Sequence, residues 1–359
     1  MESFQLIPSP DTIPAPSWIF LVLDIVTFLL HILVINVVLG GSLILLFSGL
    51  RNRETSLESS FQGAIIKKIP TSFALGVNLG VAPLLFIQVI YGHLIYSSSV
   101  LMAVYWMLII PLLIIAYYGA YIHSRNLEKR RTLAMIAIAI TSLIVLYIAF
   151  MLTNNMTLMI QPEKWSGYFT NRSGTLLNLT EPTLIPRYLH FVTASIAVGG
   201  LFAALVWHLR KRKNIEGADQ KIKLGLQIFA IATAVQVVVG LWFLISLPSE
   251  FMMAFMGQNI LYTLFLLVGI GLGIAALITG FLNKFIPTLI LLIGTVAVMV
   301  INRFNLRTLY IDRFFKLESL ELSPQYDVLA LFLVIFVVGL LIVGYMLKTA
   351  LRSTERRIA

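Results

Sequence analysis

Nine apolar stretches, each near or beyond the length that crosses a bilayer, dominate this chain. A helix rises about 1.5 Å per residue, so about 20 apolar residues span a hydrocarbon core. The stretches fall at roughly 17–49, 70–96, 98–122, 132–154, 186–209, 223–246, 258–281, 285–302 and 327–350. Lipid offers no water to backbone N–H and C=O groups, and runs of this length satisfy them as helices. The sequence therefore predicts an all-α fold, a polytopic membrane bundle of about nine transmembrane helices, with 1–359 as a single transmembrane domain. The first stretch is long enough to tilt or to project beyond the bilayer. The segment 285–302 is the shortest. The leading MESFQLIPSPDTIPAPS has neither a basic n-region nor a signal-type cleavage site, and reads as an ordered or interfacial lead-in.

The distribution of basic residues gives the orientation. Of the 26 Lys and Arg residues, 19 fall on one side of the predicted spans. They run from Arg51, Arg53, Lys67 and Lys68, through Arg125–Arg131 and Arg210–Lys223, to Lys284 and the tail with Lys348, Arg352, Arg356 and Arg357. The other seven are Lys164, Arg172, Arg187, Arg303, Arg307, Arg313 and Lys316. The positive-inside rule puts the richer side in the cytoplasm, with the N-terminus outside and the C-terminus inside. Topology thus accounts for the net charge of +10, and no nucleic-acid partner is expected. Two long external segments result, 155–186 and 303–326, each able to form short helices and a docking surface. No internal repeat is evident, so an inverted-repeat transporter gains no support. The chain has no cysteine, which excludes disulfides, thiolate metal sites and haem attached through Cys-x-x-Cys-His.

Ionisable residues within the spans are candidates for function. Asp24 is the one clear acidic residue there. It lies seven residues before His31, on the same helix face but about 10 Å away along the axis. His31 is near mid-depth, while His93 and His190 lie toward the external ends of their spans. His123 and His208 sit at cytoplasmic span ends beside Arg125 and Arg210, as interfacial side chains do. Neutral imidazole is the usual axial ligand of a b-type haem, and a bundle core is a normal place for one. The competing reading of each histidine is a hydrogen bond to a neighbouring helix. Gly40, Gly41, Gly76, Gly80, Gly199 and Gly200 are placed for close approach of a helix backbone or a flat macrocycle.

In their order, four segments resemble subunit I of the cytochrome bd quinol oxidases. HILVINVVLGGSLILL is similar to the first-helix histidine followed by an apolar, glycine-containing run. GVNLGVAPLLFIQVIYGHLIYSSS resembles a second helix that opens on Gly-Val, passes through Pro and ends in an aromatic external turn. NNMTLMIQPEKW resembles the Met-Gln-x-Pro segment, and PRYLHFVTASIAVGGLF the helix bearing a haem histidine. The likeness covers about 17–210, so that 1–210 is the bd-subunit-I-like half and 211–359 the divergent one. It implies His31 as axial ligand of a haem of the oxygen-site pair, and His190 as ligand of the low-spin haem b near the external face. It also implies residence in a bacterial or archaeal cytoplasmic membrane, where the sequons at Asn155, Asn171 and Asn178 carry no meaning.

The departures from that family bear on activity. Leu267 stands at the position of its Met ligand, and Asn302 at that of its Glu ligand. Only LPSEFMMAFMGQN stands where its long quinol-binding loop would be. Its intramembrane glutamates have no counterpart; Leu84, Leu85 and Gln88 surround the matching stretch. Reduction of dioxygen consumes protons, and few titratable groups are here to supply them. The leading expectation is a membrane electron-transfer subunit of a respiratory complex. It would carry haem b on His190 with His31 or His93, a His93–His190 pair being compatible by depth. It would exchange electrons between the quinone pool and a periplasmic partner such as a multihaem cytochrome c, alongside other membrane subunits. Asp24, His31 and Gln88 are the candidates for handling quinone and protons. Two readings stay open beside it: a bd-type terminal quinol oxidase with unusual ligands, and a haem-free membrane anchor in which Asp24 pairs with a neighbouring chain.

Overall fold

The computed structural model describes residues 5–51, 60–212, 215 and 217–356. Arg53, Lys213 and Arg357, counted above on the cytoplasmic side, lie outside the described residues. The described residues are 83% helical. Among the described residues nine helices are long and apolar enough to cross a membrane, as the sequence predicts, and the protein is a multi-pass membrane bundle.

Ten helices follow in chain order: α1 (Ser17–Arg51), α2 (Ile69–Leu101), α3 (Ala103–Asn126), α4 (Arg131–Met159), α5 (Leu184–Lys211), α6 (Ala218–Ile245), the short α7 (Ser249–Met253), α8 (Ile260–Phe281), α9 (Phe285–Ile311) and α10 (Tyr326–Arg356). α1 starts directly after Pro16, where proline can no longer break it, and its 35 residues reach about 50 Å, well beyond a hydrocarbon core. α2 carries Pro70 in its first turn and Pro83 inside, yet its break lies at Tyr91 (φ −132°, ψ 29°). The ten residues after that break lead directly into α3 across Met102 alone. Two of the backbone groups freed at this junction are taken up by the loop before α5. Val104 N–H donates to the Gly174 carbonyl, and Leu176 N–H to that of Leu101, both at 3.0 Å.

α1 lies at the centre, against α2, α4, α5 and α9, and glycines set its crossings. A Cβ on Gly40 would meet the Ser195 carbonyl oxygen, and one on Gly199 would lie 2.7 Å from the Gly40 carbonyl carbon. Asn36 accepts a 2.8 Å hydrogen bond from Ser195 Oγ at the same crossing. α5 meets α6 in the same way, where a Cβ on Gly225 would come 2.7 Å from the Gly200 carbonyl oxygen. Lipid gives helices no hydrophobic reason to associate, so backbone approach of this kind and interhelical hydrogen bonds hold the bundle.

The segment between α4 and α5 is built rather than loose. It opens on a 3-10 helix, Pro162–Phe169, and Trp165 Nε1 donates to the Leu158 carbonyl. Asn178 donates to Gln161, and Gln161 donates to Glu181 at 2.6 Å, all three side chains buried. Asn155 and Asn178, two of the sequon asparagines, are therefore inside the protein.

α9 departs from expectation. The predicted span ended at 302 and the external segment began at 303. The helix runs on to Ile311, because no glycine or proline interrupts 295–323. Two and a half further turns carry Arg303 and Arg307 into the bundle. α10 stands clear of the others, its described apolar side chains exposed along its length. Its leading strand-like residues are joined to the N-terminal lead-in by the parallel bridge Ile13–Leu322, with Ser323 N–H donating to the Ile13 carbonyl.

Candidate functional site

The site grows from one face of α1. Asp24, Phe28 and His31 follow one another at helical spacing and meet Arg303 and Arg307, four residues apart on α9. Arg307 Nη2 donates to Asp24 Oδ2 at 2.6 Å, and both side chains are buried, 6% and 5% exposed. The guanidinium of Arg307 lies 5.2 Å from the Tyr91 ring centre, on the broken turn of α2. Its Nε and Nη1 find no acceptor. One turn deeper, Arg303 lies 4.1 Å over the Phe28 ring and points Nη2 at the Met156 sulfur, 3.7 Å away. Arg303 is within electrostatic reach of Arg307, Asp24 and Arg187, and also of His31.

His31 is held by the G-x-x-x-G of α2. Its Nδ1 lies 2.9 Å from the Gly76 carbonyl, and a Cβ on Gly80 would be 2.7 Å from its Cε1. A carbonyl only accepts, so Nδ1 carries the hydrogen and Nε2 keeps the lone pair. The small residues here admit an imidazole between two helices.

A second group lies on α5 and α6. His190 Nε2 is 3.4 Å from the Gln236 amide nitrogen, and its Nδ1 is buried without a partner. A Cβ on Gly240 would lie 3.2 Å from the ring, so glycine again makes the seat. Turning the Gln236 amide over, a choice set only by hydrogen bonding, lets Nε2–H donate to its oxygen and frees the Nδ1 lone pair. One turn before His190, Arg187 lies 5.2 Å over the Phe243 ring, and its Nε finds no acceptor. Tyr310, buried against Phe251 with its hydroxyl unpaired, is in electrostatic reach of Arg187, Glu181 and Arg313.

The remaining predicted residues are not brought to this place together. His93 is buried edge-on to Phe315 at 4.6 Å, toward the lead-in residue Asp11. α2 packs mainly on α1, α3 and α4, and α5 mainly on α6, α1 and α4, with a smaller contact to α9. Gln88 is half-buried on α2. His123 Nδ1 donates to the Ala134 carbonyl at 2.9 Å, and His208 stacks on Phe285. Asn302 donates to the Phe265 carbonyl at 3.1 Å, and Leu267 is exposed on α8. Among the described residues, no three His, Cys, Asp or Glu side chains group to hold a bare metal ion.

Sequence reasoning missed Arg187, Arg303 and Arg307 as site residues, because all three were assigned to external ends and loops. The spacing of Arg303 and Arg307, and the unbroken helical sequence through Ile311, was the available signal.

No family model, no curated protein and no solved structure matches this chain.

Proposed function

We propose that this chain is a membrane electron-transfer subunit of a respiratory complex, holding haem b and exchanging electrons between the quinone pool and an external redox partner. The observation that carries the reading is the pair of seated imidazoles. His31 is fixed with Nδ1–H on the Gly76 carbonyl, the arrangement that orients a ligating histidine and raises its basicity. His190 presents a buried ring nitrogen with no protein partner. In kind, these donors fit a b-type haem: two imidazoles, each with one nitrogen to offer, and no thiolate. When bound, the haem supplies one-electron redox chemistry.

The chain's own residues would do the rest. Gly76, Gly80 and Gly240 leave room beside the two rings. Asp24 is committed to Arg307 and the open nitrogen of His31 to the haem, so beside quinol the chain offers the Gln88 amide as a hydrogen-bond partner. The external segment offers Tyr168, Phe169 and Arg172 on its exposed side, a mixed aromatic and basic face of the sort a partner protein docks on. A haem-free anchor whose Asp24 pairs with a neighbouring chain is the weaker reading, since Asp24 is already paired within its own. A terminal oxidase is weaker too, because Asn302 and Leu267 face Phe265 and the outside of α8 rather than either histidine.

The test is His190→Ala in purified protein. The proposal expects the haem b signal to fall by one haem per chain, with the protein still inserted and monodisperse. An unchanged haem content would refute the role of His190.

A further inference from the structure

Four of the orphaned polar atoms around the α5–α9 contact have one character in common. Arg307 Nε and Nη1, Arg187 Nε and the Tyr310 hydroxyl are all donors, and none has an acceptor. Arg307 is itself only 6% exposed. A buried donor left unpaired costs about 1–3 kcal/mol, and a charged one more, so several side by side are not left bare in a stable protein. Aromatic faces already serve these guanidiniums, at 5.2 Å from Tyr91 and from Phe243, but a ring face does not satisfy an in-plane N–H.

Charge points the same way. Arg187, Arg303 and Arg307 are within electrostatic reach of one another through Arg303. Two carboxylates are near. Asp24 is paired with Arg307 alone. Glu181 gives one oxygen to Gln161 and the other to the Thr183 backbone and hydroxyl, and Arg187 donates to the Thr183 hydroxyl rather than to Glu181. The group therefore holds one more positive charge than negative. It presents its unpaired hydrogens in the outer third of the bundle, Arg187 about 5 Å below the start of α5 and Arg307 about 6 Å from the end of α9.

We infer that Arg187, Arg307 and Tyr310, backed by the charge of Arg303, form a binding site for a carboxylate or phosphate group. Guanidinium donors in a fork are suited to these planar or tetrahedral anions. At this depth the anion belongs to an amphipathic molecule. Two sources share the chemistry: the carboxylate of a haem held in the bundle, and the phosphate of an anionic phospholipid of the outer leaflet. Only the first rests on the haem proposal.

The experiment is native mass spectrometry of the full chain in detergent, as wild type, Arg187→Gln and Arg303→Gln, reading retained haem and phospholipid together. Delipidated wild type is then titrated with phosphatidylglycerol and with phosphatidylcholine. Loss of one charge-assisted contact corresponds to about 10- to 100-fold weaker binding. If the anion is a lipid phosphate, phosphatidylglycerol binds wild type at least tenfold more tightly than phosphatidylcholine, and both Gln variants lose that preference while keeping their haem. If it is a haem carboxylate, the variants lose haem, Arg187→Lys restores part of it, and esterified haem binds wild type as weakly as protohaem binds the variants. The titration of wild type needs no variant and so covers a variant that fails to fold. The inference is overturned if wild type shows no preference for the anionic lipid and the variants retain haem and lipid as it does. A chain that holds no haem but prefers phosphatidylglycerol would end the haem proposal and leave the anion site standing.

Discussion

Cutting the Asp24–Arg307 pair should cost more than any other single polar change in this bundle. The two groups meet at 2.6 Å with 5% and 6% of their side chains exposed, so removal of either leaves the other charged and shielded from water. Breaking a buried ion pair from one side costs about 3–5 kcal/mol. Replacing both partners by apolar groups of similar size is close to neutral or stabilising, by about 1–4 kcal/mol in favourable cases. Asp24→Leu and Arg307→Met should therefore each destabilise by about 3 kcal/mol or more, and the double variant by much less. The coupling energy is then at least about 3 kcal/mol, far beyond the few tenths that separate independent sites. Equilibrium unfolding in mixed micelles of rising dodecyl sulfate content reads this directly. Trp165 and Trp207, buried in different core clusters, report the two ends of the bundle. Single variants within about 0.5 kcal/mol of wild type, with additive effects, would refute the argument, since they would mean that water or lipid headgroups solvate the pair.

Other outcomes follow from the same contacts. Gly199→Ala forces a Cβ to within 2.7 Å of the Gly40 backbone, so α1 and α5 must part, and a loss of about 1–3 kcal/mol is expected in the same unfolding assay. Gly80→Ala instead meets the His31 ring at 2.7 Å, and its mark should be a shifted haem spectrum at nearly full stability, because a ring can turn where a backbone cannot. Orientation is open to direct labelling in a chain without cysteine. A single cysteine at Ser173 should react with a membrane-impermeant maleimide on intact cells, and one at Lys129 only after lysis; the reverse pattern would invert the topology.

What the sequence made legible was what apolar length and charge decide. Each span was readable from its run of apolar residues, and their order gave the bundle. The ends were less so. At 302 the hydropathy falls because of Asn302, Arg303, Asn305 and Arg307, and a reading by apolarity stops there. Helix propensity does not stop, and α9 continues. The same four residues look solvated only as long as their partners are unknown, and Asp24 lies 283 residues away. Asp24 and His31 were legible as a polar face, because spacing within one helix is local. That the face meets α9, that Gly76 and Gly80 seat the His31 ring, and that His93 packs edge-on to Phe315 are consequences of helix neighbours, which single-chain periodicity does not carry. The break in α2 at Tyr91, eight residues beyond Pro83, was equally silent, since proline is the visible breaker and tyrosine is not.

A reduced-minus-oxidised visible spectrum of the purified chain, with pyridine haemochrome quantitation, tests the central claim most directly. The account predicts a b-type signal of at least one haem per chain, diminished by substitution of His190. A blank spectrum from well-folded protein would contradict it, leaving His31 and His190 as structural side chains of a membrane anchor.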